Sequence, residues 1–347
     1  MPEPSQPLLT GLLRDVSRSF YLTLRVLPRA IRPQVGLAYL LARTTDTIAD
    51  TGLVPADQRL AALAALRQRI LGTASAPLAF ATFAQHQASP AEATLLDRCE
   101  ESLACLNALP GIDRQFVREV LSTITSGQEL DLQRFTGAGA GNVLALENAI
   151  ALDDYTYRVA GCVGEFWTRI CREHLFPRAP LDMPKLLERG IRFGKGLQLV
   201  NILRDIPSDL RQGRCYLPQD ELAAAQLAPG DLLRPANEPR LRPVYNAWLA
   251  RAEGHLRSGW DYTNALPRNA YRLRLACAWP VLIGLETLTV LRRENMLDPA
   301  ARRKISRGQV RAILVTAVAR VPFPGAFRKL APSASGSPAP AASNALC

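Results

Sequence analysis

Two stretches far apart in the chain, YLLARTTDTIAD (39–50) and LVNILRDIPSDLRQGRCYLP (199–218), each set two aspartates four residues apart inside an otherwise apolar helical pattern. A helix turns 100° per residue, so Tyr39, Arg43, Asp46 and Asp50 fall on one narrow face, and Gln198, Asn201, Asp205 and Asp209 share another. Like charges at this spacing destabilise a helix by roughly 0.2–0.5 kcal/mol per pair in water. The cost rises when neighbouring helices exclude solvent. A fold that keeps both stripes must therefore bring cations to them.

Magnesium suits such acids. It takes oxygen ligands, keeps several waters, and is commonly shared between one or two carboxylates and phosphate oxygens. Two facing stripes in a helical bundle are suited to gripping a diphosphate through bridging metal ions, with Arg43 and Arg204 adding charge-assisted hydrogen bonds. A single DxxxD on a helix is usually a solvated face. Two of them, each in an apolar helix and each beside an arginine, are much harder to explain that way. Pro207 interrupts the second pair. An internal proline loses one hydrogen bond and clashes with the carbonyl four residues back, at about 3 kcal/mol. The helix is therefore expected to end near Ile206, with Pro207 opening a new turn and Asp209 the less secure ligand.

The remainder of the chain also reads as helix. Ala, Leu, Arg and Glu dominate, and alternating β-branched runs are nearly absent. Helices are expected over 8–27, 35–50, 56–72, 91–107, 113–130, 147–175, 183–206, 242–264, 272–293 and 306–321, broken by Pro, Gly and Asn signals. This is an all-α pattern, expected as one domain over 1–330 with a disordered Ser/Ala/Pro-rich tail over 331–347. GAGAGN (137–142) follows a helix rather than a strand, so it reads as a flexible connection and not as a nucleotide loop.

Composition narrows the partners. A formal charge of +11 favours anions: phosphorylated substrates, acidic membrane surfaces or nucleic acid. Nucleic acid is the weakest of these, since the cations are scattered and aromatics make up only 6%. The cysteines number 7, form no CxxC and read as reduced thiols of a cytoplasmic protein. His86, His174 and His255 stand too far apart in sequence to suggest zinc. No signal peptide is expected, nor any window of roughly 18 apolar residues. AILVTAVARVPFPGAF (312–327) is cut by Arg320, Pro322 and Pro324, which leaves peripheral contact with the inner face of a membrane open.

Four segments occur in the order that marks a known family. SRSFYLTLRVLP (17–28), YLLARTTDTIAD (39–50), YTYRVAGCVG (155–164) and LVNILRDIPSDLRQGRCYLPQDEL (199–222) resemble the motifs of the squalene/phytoene synthase family, the head-to-head prenyl transferases. The resemblance implies an isoprenoid-synthase helical bundle around a central apolar cavity. It implies Asp46, Asp50, Asp205 and Asp209 as Mg²⁺ ligands, and Tyr39, Tyr157, Arg43 and Arg204 as catalytic residues. Ser17, Arg18, Ser19, Phe20, Gln198, Asn201, Arg214 and Tyr216 would bind substrate, with RQGRCYLP (211–218) as a lid over the phosphates. The π-faces of Tyr39, Phe20, Tyr157 and Phe166 would steady a carbocation.

ACAWPVLIGLETL (276–288) and RRKISRGQV (302–310) are more similar to squalene synthases than to phytoene synthases. That similarity implies NADPH, with Arg43, Arg303, Lys304 and Arg307 near its phosphates. The implied reaction joins two farnesyl diphosphates to presqualene diphosphate and then reduces it to squalene. Alternatives are a relative without the reductive step, giving presqualene diphosphate, hydroxysqualene or phytoene-type products, and a non-catalytic helical protein that binds acidic lipid. Two departures stand out. Ala49 stands where squalene synthases usually carry Glu, and Tyr-Arg at 157–158 leaves open which tyrosine near 155–157 does the chemistry.

Overall fold

The computed structural model describes residues 8–17, 20–301 and 303–331, so Arg18, Ser19, Arg302 and the tail over 332–347 lie outside the described residues. The helices that build the bundle are α1 (Arg32–Asp50), α2 (Ala56–Leu71), α3 (Gly111–Arg134), α4 (Ala149–Thr156), α5 (Cys162–Leu175), α6 (Met183–Arg211), α7 (Glu238–Ala265), α8 (Tyr271–Leu291), α9 (Arg307–Arg320) and the short α10 (Pro324–Arg328). Their starts carry local signals. Asn148 caps α4 by accepting Ala151 N–H at 3.0 Å, and Asp182 caps α6 by accepting Lys185 N–H at 3.2 Å. Ser306 and Gln309 form a capping box at α9.

Four expectations change. The stretch 8–27 is not one helix but the pieces Leu8–Leu12, Leu13–Ser17 and Phe20–Val26, and 91–107 breaks at Arg98. The stretch 147–175 divides at a π-helical turn, Tyr157–Gly161, between α4 and α5. Most consequential, α6 does not stop at Ile206 but continues through Pro207 to Arg211. Proline 207 cannot donate to the carbonyl of Leu203, and the hydroxyl of Tyr245 on α7 donates there instead, at 3.2 Å. A tertiary contact thus replaces the lost helical bond.

Strand was not expected, yet β1 (Leu144–Leu146) and β2 (Arg214–Pro218) pair in parallel, Leu144 opposite Arg214. Gly213 makes this possible. Its φ is +77°, and an added Cβ would sit 2.2 Å from the backbone nitrogen of Gly139. GAGAGN is accordingly an ordered turn, bridged Gly139 to Asn142, that leads into β1. RQGRCYLP is part helix end and part strand.

Burial falls into two apolar clusters, one centred on α1, α2, α3 and α5 but reaching Leu186 of α6, Tyr262 of α7 and Cys277 of α8, the other centred on α6, α7 and α8, with Phe193 of α6 packed against both. Helices α5 and α6 touch through glycines: a Cβ on Gly164 would lie 1.8 Å from the Gly190 carbonyl oxygen. That close approach sets α6 against the rest of the bundle. By length and composition α8 could cross a membrane, but it is interrupted by Arg274 and Glu286, and 67% of that window is buried inside the protein as a core helix. All the described cysteines are free thiols.

Candidate active site

Helix α1 buries Leu37, Leu40, Leu41, Thr44 and Ile48 in the core. Its threonines satisfy themselves: the hydroxyls of Thr44, Thr47 and Thr51 donate to the carbonyls of Leu40, Arg43 and Thr47 at 2.9, 2.8 and 2.6 Å. The opposite face keeps its charges. Arg43 donates to Glu92 at 2.5 Å and stands 3.8 Å from Asp46, while Gln128 of α3 donates to Asp46. Tyr39 lies on the same face, half-buried and close enough to Arg43 to interact with its charge.

Asp50 of α1 and Asp205 and Asp209 of α6 line one cavity of about 470 Å³. Gln198 and Asn201 of α6, Arg59 of α2, Tyr155 of α4, and Arg214 and Tyr216 of β2 complete its walls. The second stripe therefore survives Pro207, and Asp209 is as much a part of the site as Asp205. Arg204 lies against Asp205 in a two-point contact, at 2.9 and 2.5 Å. Asp46 sits one turn behind Asp50, against α3 rather than on the cavity wall. Its lining is mainly polar, with Ile202 and the rings of Tyr155 and Tyr216 as the apolar part.

Beneath the cavity lies Asp131 of α3, a buried acid that the sequence reading missed. Its Oδ2 accepts the Tyr216 hydroxyl at 3.1 Å and Arg214 at 3.4 Å, while its buried Oδ1 has no hydrogen-bond partner among the described residues. Tyr216 stacks on Tyr155, ring centroids 4.9 Å apart, and meets Phe135 edge-on at 5.3 Å.

The electrostatics of this cluster are unbalanced. Burial first, and Asp50 second, push Asp46 up to about 7. Burial first, and Asp205 second, push Asp209 up to about 7 as well. Asp131 rises to about 6, again mainly from burial, and Asp50 is raised for the same reason despite Arg214 and Arg43. Asp46 is half-exposed and Asp50 exposed, but Asp50 opens onto a concave cleft whose low-dielectric walls magnify its repulsion of Asp46 one turn behind it. The acids lack enough positive charge to stay ionised together.

Hard divalent cations fit this donor set of carboxylate and amide oxygens. Among the described residues no three Asp, Glu, His or Cys converge into a closed metal cage. The acids instead come from separate helices around one cavity, which suits ions held jointly by protein and phosphate.

Several expected residues fall elsewhere. Tyr157 is corrected as a cleft residue: it lines a separate cavity of about 180 Å³ with Phe166, and its hydroxyl donates to Glu165 at 3.2 Å. Two residues along a helix is about 200°, so Tyr155 and Tyr157 face opposite ways, and only Tyr155 reaches the acids. Ser17 is buried, Arg18 and Ser19 lie outside the described residues, and so does the side chain of Phe20. Lys304 and Arg307 are exposed at the start of α9, outside the cavity wall, and Arg303 donates to the Pro299 carbonyl at 3.4 Å. Gln128 and Asp131 share a face of α3 at i, i+3, a polar pair in a buried helix that was the available signal. For Arg59 the sequence carried none.

An all-helical bundle with two acidic helices around one cleft defines a class that handles multiply charged anions. The squalene/phytoene synthase family model matches residues 13–309, and the chain belongs to that family of head-to-head prenyl transferases. It is 29% identical over 291 residues to the 15-cis-phytoene synthase of Synechococcus elongatus, covering 80% of this chain and 81% of that one. It is 31% identical over 240 residues to the presqualene diphosphate synthase of Zymomonas mobilis, covering 69% of each. Its relatives also include longer bifunctional lycopene cyclase/phytoene synthases, of which it spans 45% or less. A ligand complex of TcSQS shares the fold, with a TM-score of 0.74 at 20% identity over 90% of this chain and 86% of that one.

Proposed function

We propose that this chain carries out Mg²⁺-dependent head-to-head condensation of two farnesyl diphosphates to presqualene diphosphate and releases that product unreduced. The reading is carried by one observation: Asp50, Asp205 and Asp209 line a single cavity with Arg59 and Arg214, while Lys304 and Arg307 lie outside it. Bound Mg²⁺ would draw charge from a departing diphosphate. Asp50, Asp205 and Asp209, with Asp46 behind them, would hold it, and Arg59 and Arg214 would donate to phosphate oxygens. The allylic C–O bond of one substrate breaks with its electron pair leaving on diphosphate. The double bond of the second attacks the cation, and loss of a proton closes the cyclopropane ring. The Tyr155 ring, stacked on Tyr216, lines the cavity and would steady the cation there.

A second reading continues with NADPH reduction to squalene. It is favoured by the cation-rich stretch RRKISRGQV before α9 and by the similarity of that stretch to squalene synthases. Incubating the full chain with farnesyl or geranylgeranyl diphosphate and Mg²⁺, with and without NADPH, separates the readings by product. Presqualene diphosphate in both incubations supports the first. Squalene formed only with NADPH supports the second, and a geranylgeranyl product moves the substrate to the phytoene type. No product from either substrate, with the fold intact, would leave the non-catalytic lipid-binding reading.

A further inference from the structure

The chain from 299 to 331 carries eight lysines and arginines and no aspartate or glutamate. Most of the surplus of +11 therefore sits in one short stretch. Three of the most exposed large apolar side chains lie there too: Val315 at 60%, Val318 at 50% and Phe323 at 64%. On α9, Arg307, Val318, Arg311 and Val315 fall within about 80° of arc, so cations and apolar groups alternate on one outward face. The inward side is fastened. Ala317 and Val321 are buried, Phe327 of α10 stacks on Trp260 at 5.1 Å, and the Arg274 guanidinium lies 4.6 Å from the Phe327 centroid.

We propose that this face of α9 and the turn after it dock on an anionic phospholipid bilayer. Positive charge without carboxylates is complementary to acidic headgroups, and valines and a phenylalanine between the arginines are suited to the headgroup–acyl boundary. A second copy of the chain is a poor occupant, because it presents the same unrelieved positive charge. Nucleic acid would gain from the arginines but leave the exposed valines in water.

Sedimentation of the full chain with vesicles tests the proposal. Wild type is expected to pellet with mixed phosphatidylcholine–phosphatidylglycerol vesicles and not with phosphatidylcholine alone. Release is expected at about 1 M salt, where the screening length is roughly 3 Å. The double variants Val315→Glu/Phe323→Glu and Arg307→Glu/Arg311→Glu should each bind at least about tenfold more weakly, a difference of about 1.4 kcal/mol. Leu53→Glu/Ile150→Glu removes two equally exposed apolar groups elsewhere, at 76% and 79% exposure, and should bind as wild type does. Far-UV circular dichroism checks that each variant folds, and Arg311→Ser replaces any double variant that does not. Equal pelleting with neutral vesicles, equal loss in the Leu53/Ile150 control, or unchanged binding in the α9 variants would overturn the proposal. Binding to single-stranded RNA with no pelleting on vesicles would overturn it as well.

Discussion

The cleft between α1 and α6 and the cluster around Glu253 on α7 use the same residue types and reach opposite balances. Burial pushes the Glu253 carboxyl up, but hydrogen bonds from Arg257 at 2.6 Å and from Arg292 outweigh it and hold it below the usual range. In the cleft, burial and mutual repulsion win, and Asp46 and Asp209 rise to about 7. The first arrangement is closed: each charge has its partner within the protein. The second is open and needs charge from outside. Matched charge holds a fold together, whereas surplus buried charge of one sign marks a place for a ligand.

The comparison breaks most sharply at Asp209. Asp209→Asn should lower kcat/KM by about 10²–10³-fold while leaving Tm in metal-free buffer unchanged or higher, because it removes repulsion. A falling Tm with intact turnover would place Asp209 with Glu253 among structural acids. Replacing Tyr155 by Leu should reduce turnover about tenfold through loss of the π-face, whereas Tyr157→Phe, at the smaller cavity, should leave it near wild type. Steady-state kinetics on both variants tests which tyrosine serves the cleft.

On the closed side, Arg292→Leu leaves Glu253 with one partner. It should cost about 1–2 kcal/mol in urea unfolding without touching activity. Tyr245→Phe should cost about 1 kcal/mol, since it strips the donor that Pro207 made necessary. In the background of Pro207→Ala the same change should cost less, because the helical N–H returns.

A further test of matched against unmatched charge concerns pH. Burial, then the charges of Arg192 and Lys195, hold His255 down to about 4 against an ordinary 6.5. Between these values the unfolded chain binds a proton that the folded chain does not. Stability contributed by the neutral ring is therefore present above about pH 6.5 and declines as pH falls toward 4. His255→Gln should flatten that slope in denaturant melts taken across the window.

What the sequence carried was local. Helical phase alone put Asp46 with Asp50 and Asp205 with Asp209, because residues four apart share a face in any bundle. The apolar runs around them showed that both helices would be enclosed. Motif order added the family, and with it the all-helical fold. Phase also separated Tyr155 from Tyr157, but it did not say which of the two faces met the acids.

Only the tertiary structure decided that. It brought Asp131 and Arg59 to the cleft from helices with no motif, and it made β2 a wall. It also let Tyr245 supply the hydrogen bond that Pro207 removes, so that Asp209 stays on its stripe. The physical reason is the same in each case. A side chain's face is set by the rotation of its own helix, but its partner is set by where helices cross, as at Gly164 and Gly190, and that depends on close packing between residues distant in sequence.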